Sequence, residues 1–177
     1  MPGTLDGIKV VDLTTVILGP WASQTLGDMG ADVIKIETPQ GDVTRNMGPR
    51  RNPGMGAVFL STNRNKRSIV LDLRTREGKD ALLKIVDTAD VFMHNMRPKV
   101  ADKLELSYER FSKNNPKLIY WAAAPATLST SYSGSGLPYA SPEQAYEDSM
   151  NVGSVECCNK TFEINIYMPN SYYVGLG

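Results

Sequence analysis

The sequence predicts an α/β fold, a mainly parallel, Rossmann-like sheet with helices on both faces. Short β-rich runs alternate with helix-length segments at a spacing that calls for right-handed βαβ units. The leading run is mostly apolar, which fits a strand buried on both faces. The chain's 177 residues suffice for one domain with a real core and are thin for two.

The elements follow in order. Residues 8–13, bounded by Gly7 and the polar Thr14-Thr15, make a first strand. Pro20 suits the first turn of a helix over 21–29, where Trp21, Leu26 and Met29 fall at helical spacing and Gly30 closes the segment. Residues 33–37 form the second strand. Residues 38–57 are a long loop rich in Pro and Gly, and loops of that length inside compact domains are usually functional or disordered. Residues 68–73 form the third strand. Thr75-Arg76-Glu77-Gly78 starts an acidic-ended helix that continues through Leu82, Leu83, Ile85 and Val86. Residues 91–93 form a fourth strand, 108–114 a short helix, and 118–122 a fifth strand.

Charge splits the chain. The totals balance at nineteen acidic and nineteen basic groups, which argues against a nucleic-acid binder. Yet residues 1–123 hold eighteen of the basic groups and fourteen of the acidic ones, and the remainder holds only Lys160 against five carboxylates. Six of the eight tyrosines lie in that remainder, which has no sustained helical period. The expected organisation is therefore a ligand domain over 1–123 and a divergent tail over 124–177. No apolar run approaches the 18 residues of a membrane helix, and nothing near Met1 resembles a signal peptide, so a soluble, cytoplasmic protein is expected. Adjacent Cys157 and Cys158 and a single histidine, His94, offer no metal-ligand spacing.

In a parallel sheet of this kind, ligands sit outside the carboxyl ends of the strands near a topological switch point. The loops to watch are 14–19, 38–56, 72–75 and 95–99. They carry much of the positive charge, including Arg45, Arg50 and Arg51, and with the group Arg64, Lys66 and Arg67 they suggest a rim for a ligand with several phosphates. Any single one of these arginines is as readily a solvated surface charge. No GxGxxG follows the first strand and no GxxxxGK occurs, which weakens both dinucleotide and P-loop readings. His94, at a strand end, reads as a packing or hydrogen-bonding residue rather than a base.

The strings Leu5-Asp6-Gly7-Ile8-Lys9-Val10-Val11-Asp12-Leu13, Gly19-Pro20, and Leu26-Gly27-Asp28-Met29-Gly30-Ala31-Asp32-Val33-Ile34-Lys35-Ile36-Glu37 resemble the N-terminal region of the class III CoA-transferases of the CaiB/BaiF type. That group includes the formyl-CoA and carnitinyl-CoA transferases and α-methylacyl-CoA racemase. The likeness continues through Gly41-Asp42-Val43-Thr44-Arg45, Asn63-Arg64-Asn65-Lys66-Arg67-Ser68-Ile69, Leu71-Asp72-Leu73, Ala89-Asp90-Val91 and Asn114-Asn115-Pro116-Lys117-Leu118-Ile119-Tyr120. Several motifs in one order over about 120 residues are highly specific.

The resemblance implies a site for coenzyme A or acyl-CoA, taken as substrate with no tightly bound cofactor. Ile17 and Leu18 would lie against the CoA moiety, with Thr38 at the end of the second strand. Leu71, Asp72, Leu73 and Arg74 would line the nucleotide, Asn95, Met96 and Arg97 would follow the fourth strand against it, and Lys103 would meet a phosphate. An arginine that relatives sometimes carry at the Thr38 position is missing, and Arg97 is the candidate to compensate. The implied chemistry is acyl transfer through an aspartate, whose carboxylate attacks the thioester to give a mixed anhydride and CoA thiolate before an incoming carboxylic acid becomes the new thioester.

That aspartate lies well downstream of the fifth strand in the family, and no Asp follows Asp148 here. Gly136-Leu137-Pro138-Tyr139 and Ala145-Tyr146-Glu147 only echo the family, and neither Glu147 nor Asp148 matches the nucleophile. No catalytic residue is therefore assigned. A chain truncated relative to the family or altered in frame, a short natural paralogue, a non-catalytic CoA-binding module and an inactive fragment all fit this tail. The interlocking dimer of the family depends mostly on segments not found here, so that dimer is not expected, and the fifth strand is expected to carry an open edge.

Overall fold

The computed structural model describes residues 3–122, 151–157 and 160–165. One seven-stranded sheet organises them, in the order β3-β2-β1-β4-β5-β6-β7. The strands are β1 (Lys9–Asp12), β2 (Asp32–Glu37), β3 (Lys66–Val70), β4 (Val91–His94), β5 (Ile119–Ala122), β6 (Asn151–Cys157) and β7 (Lys160–Asn165). The first five are parallel, with Val10 level with Val33 and Val91 across the centre of the sheet. Their order 3-2-1-4-5 places the switch point between β1 and β4, where the chain turns from one side of the sheet to the other.

Alternation along the central strands builds two cores. Val11, Leu13, Phe92 and Tyr120 face a layer made by α3 (Arg76–Val86) and α5 (Tyr108–Ser112), with Leu82, Val86 and Phe111 packed beneath them. Phe92 anchors that layer through Phe111, 4.8 Å away between ring centres, and Tyr120, stacked at 5.4 Å. Val10, Val33 and Met93 face the other way, with Leu26 of α1 (Leu18–Asp28) packed against them. The expected α/β sheet with helices on both faces is the observed one.

The boundaries of β3 differ from expectation. Strand pairing begins at Lys66 and stops at Val70, although Leu71 still donates its N–H to Glu37. The chain leaves the sheet because the Asp72 carbonyl accepts from both the N–H and the hydroxyl of Thr75, which closes a turn. Thr75 then caps α3 by accepting from the N–H of Gly78. A glycine is required there, since a Cβ would lie 2.1 Å from the Asp72 carbonyl oxygen.

Three short elements had no expectation: α2 (Ala57–Thr62), α4 (Pro98–Lys103) and a 3-10 turn at Val43–Asn46 capped by the Asp42 carboxylate. Six residues hardly display a helical period, although Pro98 at the first position of α4 is a start signal. The open edge expected on β5 is overturned. β6 pairs antiparallel with it, Tyr120 opposite Glu156 and Ala122 opposite Ser154, and β7 pairs with β6. The tail segments 136–139 and 145–148, with Glu147 and Asp148, lie outside the described residues.

Candidate functional site

Four segments leave the carboxyl edge of the parallel sheet side by side. After β1 the chain makes a tight turn into α1, and Gly19 passes so near Thr14 that a Cβ would come within 2.4 Å of its side chain. Val16 within this turn has φ +75°, a left-handed conformation that costs a β-branched residue roughly 1–3 kcal/mol. The surrounding structure holds it there. Asn95, just past β4, accepts from the N–H of Thr15 at 3.0 Å and donates to the Thr15 carbonyl at 2.9 Å. The two loops of the switch point are thereby clasped.

On this edge Ile17 and Leu18 are exposed, Leu18 at 74%. Arg97 is exposed at the start of α4 and, among the described residues, has no carboxylate within ion-pair distance. Lys103 lies at the other end of α4, about 9 Å along the helix. Thr38 is exposed immediately after β2, and 71–74 follows β3. Three strand spacings, about 14 Å, separate the ends of β3 and β4. The expected residues therefore fall into two neighbouring groups, Ile17, Leu18, Asn95 and Arg97 at the switch point, and Thr38 with 71–74 beside it. Three side chains turn inward: Leu73 is buried in the larger core, and Leu71 and Met96 pack against it. Asp72 and Arg74 pair with each other, and the Arg74 hydrogen bonds hold the Asp72 carboxyl at about 2.

The expected basic rim is mostly dismantled. Arg64 and Lys66 precede or begin β3 and Arg67 follows within it, so Arg64 and Arg67 belong to the amino half of the sheet, where they pair with Asp28 and Asp32. A residue leading into a parallel strand lies at the edge opposite the ligand edge. Arg45 is bidentate to Glu37 and stacks 3.8 Å over the Phe59 ring. Burial alone would raise the Glu37 carboxyl, but the hydrogen bonds from Arg45, Ser68 and the Asp42 N–H prevail and hold it at about 2. Arg50 and Arg51 line a hollow of about 500 Å³ with Pro49, Met55 and Leu60 in the loop after β2.

Beneath the edge lies a set of buried charges, of which the sequence had marked only Lys66, as part of a rim from which its pairing with Asp12 removes it. Asp12 accepts from the N–H and hydroxyl of Thr14, from Ser23 and from the Lys66 ammonium. Lys66 also donates to the Pro20 carbonyl and to Asn63. Lys35 donates to the Thr14 carbonyl at 2.8 Å and lies 3.1 Å from Asp42. For Asp12 and Lys35 the signal was a charge inside a mainly apolar strand, because a carboxylate or ammonium buried there must be paired. His94 is buried as well. Its Nδ1 accepts from the Met96 N–H, its Nε2 meets the Tyr120 hydroxyl at 2.7 Å, and that hydroxyl donates to the Leu106 carbonyl. Burial depresses its pKa to about 4, so it is a neutral link in the core.

Residues 5–150 match the family described as CoA-transferase family III. The chain belongs to this family. It is 43% identical over 122 residues to a succinyl-CoA:mesaconate CoA-transferase of Haloarcula hispanica, covering 67% of this chain and 31% of that protein. It is 47% identical over 123 residues to a succinate–glutarate CoA-transferase of Agrobacterium fabrum, covering 66% and 31% respectively. Among solved structures, a CAIB/BAIF family protein from Brucella suis superposes with a TM-score of 0.64 at 46% identity, over 68% of this chain and 33% of that one. The chain thus spans about a third of the length of the family III relatives it matches. Among the described residues, no helix is long and apolar enough to cross a membrane, and no cluster of His, Cys, Asp or Glu could hold a metal ion.

Proposed function

We propose that this chain supplies the CoA-binding portion of a class III CoA-transferase, a protein that moves CoA between an acyl-CoA and a carboxylic acid. The observation that carries the reading is the clasped switch point, with exposed Ile17 and Leu18 on one side and, on the other, the exposed Arg97 guanidinium, which has no carboxylate partner among the described residues. An apolar surface beside a guanidinium suits a ligand with an apolar arm and a phosphorylated end. Coenzyme A is extended enough to lie across both groups on the sheet edge. In this reading Arg97 meets a phosphate, Lys103 reaches a second from the far end of α4, and Thr38, Asp72 and Arg74 border the nucleotide. Leu71, Leu73 and Met96 contribute backbone, since their side chains belong to or pack on the core.

The family's succinyl-CoA, mesaconate and glutarate enzymes indicate the class of partner, an acyl thioester and a small carboxylic acid. The acyl-transfer step needs a carboxylate nucleophile, and none of the described residues is assigned to it. The 124–177 segment is read as a divergent tail to the CoA-binding unit. Calorimetric titration of the chain with coenzyme A, with dephospho-CoA and acetyl-pantetheine as comparators, tests the reading. Saturable binding that weakens as phosphates are removed supports it, and no binding of coenzyme A overturns it. Exchange of label between acyl-CoA and free acid separates a transferase from a binding unit.

A further inference from the structure

The four charges beneath the ligand edge are almost wholly buried, with side-chain exposures of 0–2% for Asp12, Lys35, Asp42 and Lys66. Burying ion pairs is a poor route to stability, since apolar residues of like volume do as well or better. What distinguishes this set is the segments it ties. Lys35 stands within β2, yet its ammonium reaches the Thr14 carbonyl of the β1–α1 turn and the Asp42 carboxylate of the segment after β2. Asp42 is itself fixed, because its other oxygen accepts from the N–H and hydroxyl of Thr44 and its N–H donates to Glu37. The N–H and hydroxyl of the same Thr14 are held by Asp12. Two residues on, the chain takes the left-handed conformation at Val16 that leads directly into Ile17 and Leu18.

We infer that Lys35 is a positioning residue for coenzyme A: it locks the β1–α1 turn to the segment after β2 and so sets how Ile17 and Leu18 are presented. Lys35 does not touch the ligand in this arrangement. The inference rests on the CoA-binding reading above. When the ammonium is removed, Thr14 loses its carbonyl partner, and the turn is free to relax from the conformation that Val16 is held in.

The test compares three proteins by calorimetric titration with coenzyme A and by thermal melting. Lys35→Met/Asp42→Asn removes both charges and leaves no orphaned ion. Leu82→Ala, in the α3 core, is a destabilised control far from the edge. The double variant should bind coenzyme A at least tenfold more weakly than wild type at a temperature where it is fully folded, and amide exchange at Val16–Leu18 should quicken. Leu82→Ala should melt earlier and bind within twofold of wild type. Wild-type affinity in the double variant overturns the inference while leaving the CoA reading intact, as does a loss of binding in Leu82→Ala that matches its loss of stability. No binding by wild type overturns the CoA reading and this inference with it. Should the double variant fail to fold, Asp42→Asn alone decides, since it keeps the oxygen that caps Thr44: weakened binding supports the role of Lys35, and unchanged binding overturns it.

Discussion

Asn95 and Thr15 bind each other twice, side-chain amide to backbone in both directions, although eighty residues separate them. A side-chain amide carries both the acceptor and the donor needed to hold the N–H and the carbonyl of one residue. The pair fixes the gap between β1 and β4, where a ligand of a 3-2-1-4-5 sheet is expected to enter.

Asn95→Ala removes both bonds and should cost about 1–2 kcal/mol by denaturant unfolding. Coenzyme A affinity should fall as well, because the turn carrying Ile17 is released. Asn95→Asp, which keeps the acceptor and loses the donor, should fall between the two. Titration calorimetry on all three proteins checks the order.

Arg97 is exposed and has no carboxylate partner among the described residues, so Arg97→Ala should leave the melting temperature within a degree or two of wild type. If it binds phosphate, coenzyme A affinity should drop by roughly ten- to a hundredfold, in keeping with a charge-assisted hydrogen bond of about 1.5–3 kcal/mol. The drop should shrink as salt is raised. An unchanged dissociation constant would remove Arg97 from the site.

Two ion pairs that look alike in sequence should behave differently. Lys66→Met leaves Asp12 buried without its cation and should destabilise the fold by about 3–5 kcal/mol. Arg67→Met breaks an exposed pair with Asp32 and should cost less than about 1 kcal/mol. Urea denaturation midpoints for the two variants measure the contrast.

The buried His94 makes stability depend on pH. Its folded pKa, about 4, lies below the ordinary 6.5, so the unfolded chain takes up a proton that the folded chain refuses. Its contribution is full above pH 6.5 and is lost as pH falls toward 4, on the order of 3 kcal/mol across that window. Glu37, held at about 2 against an ordinary 4.5, adds a second loss below pH 4.5. His94→Gln should flatten the first window and leave the second, which melting from pH 7 to 3 would reveal.

The five parallel strands were legible because most are short, mainly apolar runs between breakers and the order of helices and strands admits few topologies, and β3, which opens on Lys66-Arg67-Ser68, is the one whose boundaries were misplaced. The short α2 and α4 were not, since one or two turns carry too few residues for a period to emerge. The basic rim was misjudged for a different reason. Arg64 and Arg67 flank the start of β3, and sequence proximity to a strand does not tell which edge of the sheet a charge will occupy or whether a carboxylate waits there.

The sequence alone determined the family, the parallel α/β plan and the four post-strand segments where a ligand is to be sought, since these rest on local patterns and ordered motifs. The tertiary structure decided which of the charges in those segments remain available. Lys66 meets Asp12 across 54 residues, Arg64 meets Asp28 across 36, and Arg45 folds back on Glu37. Charge sign is written in the residue, but neutralisation depends on distance in space, and only the folded chain sets that distance.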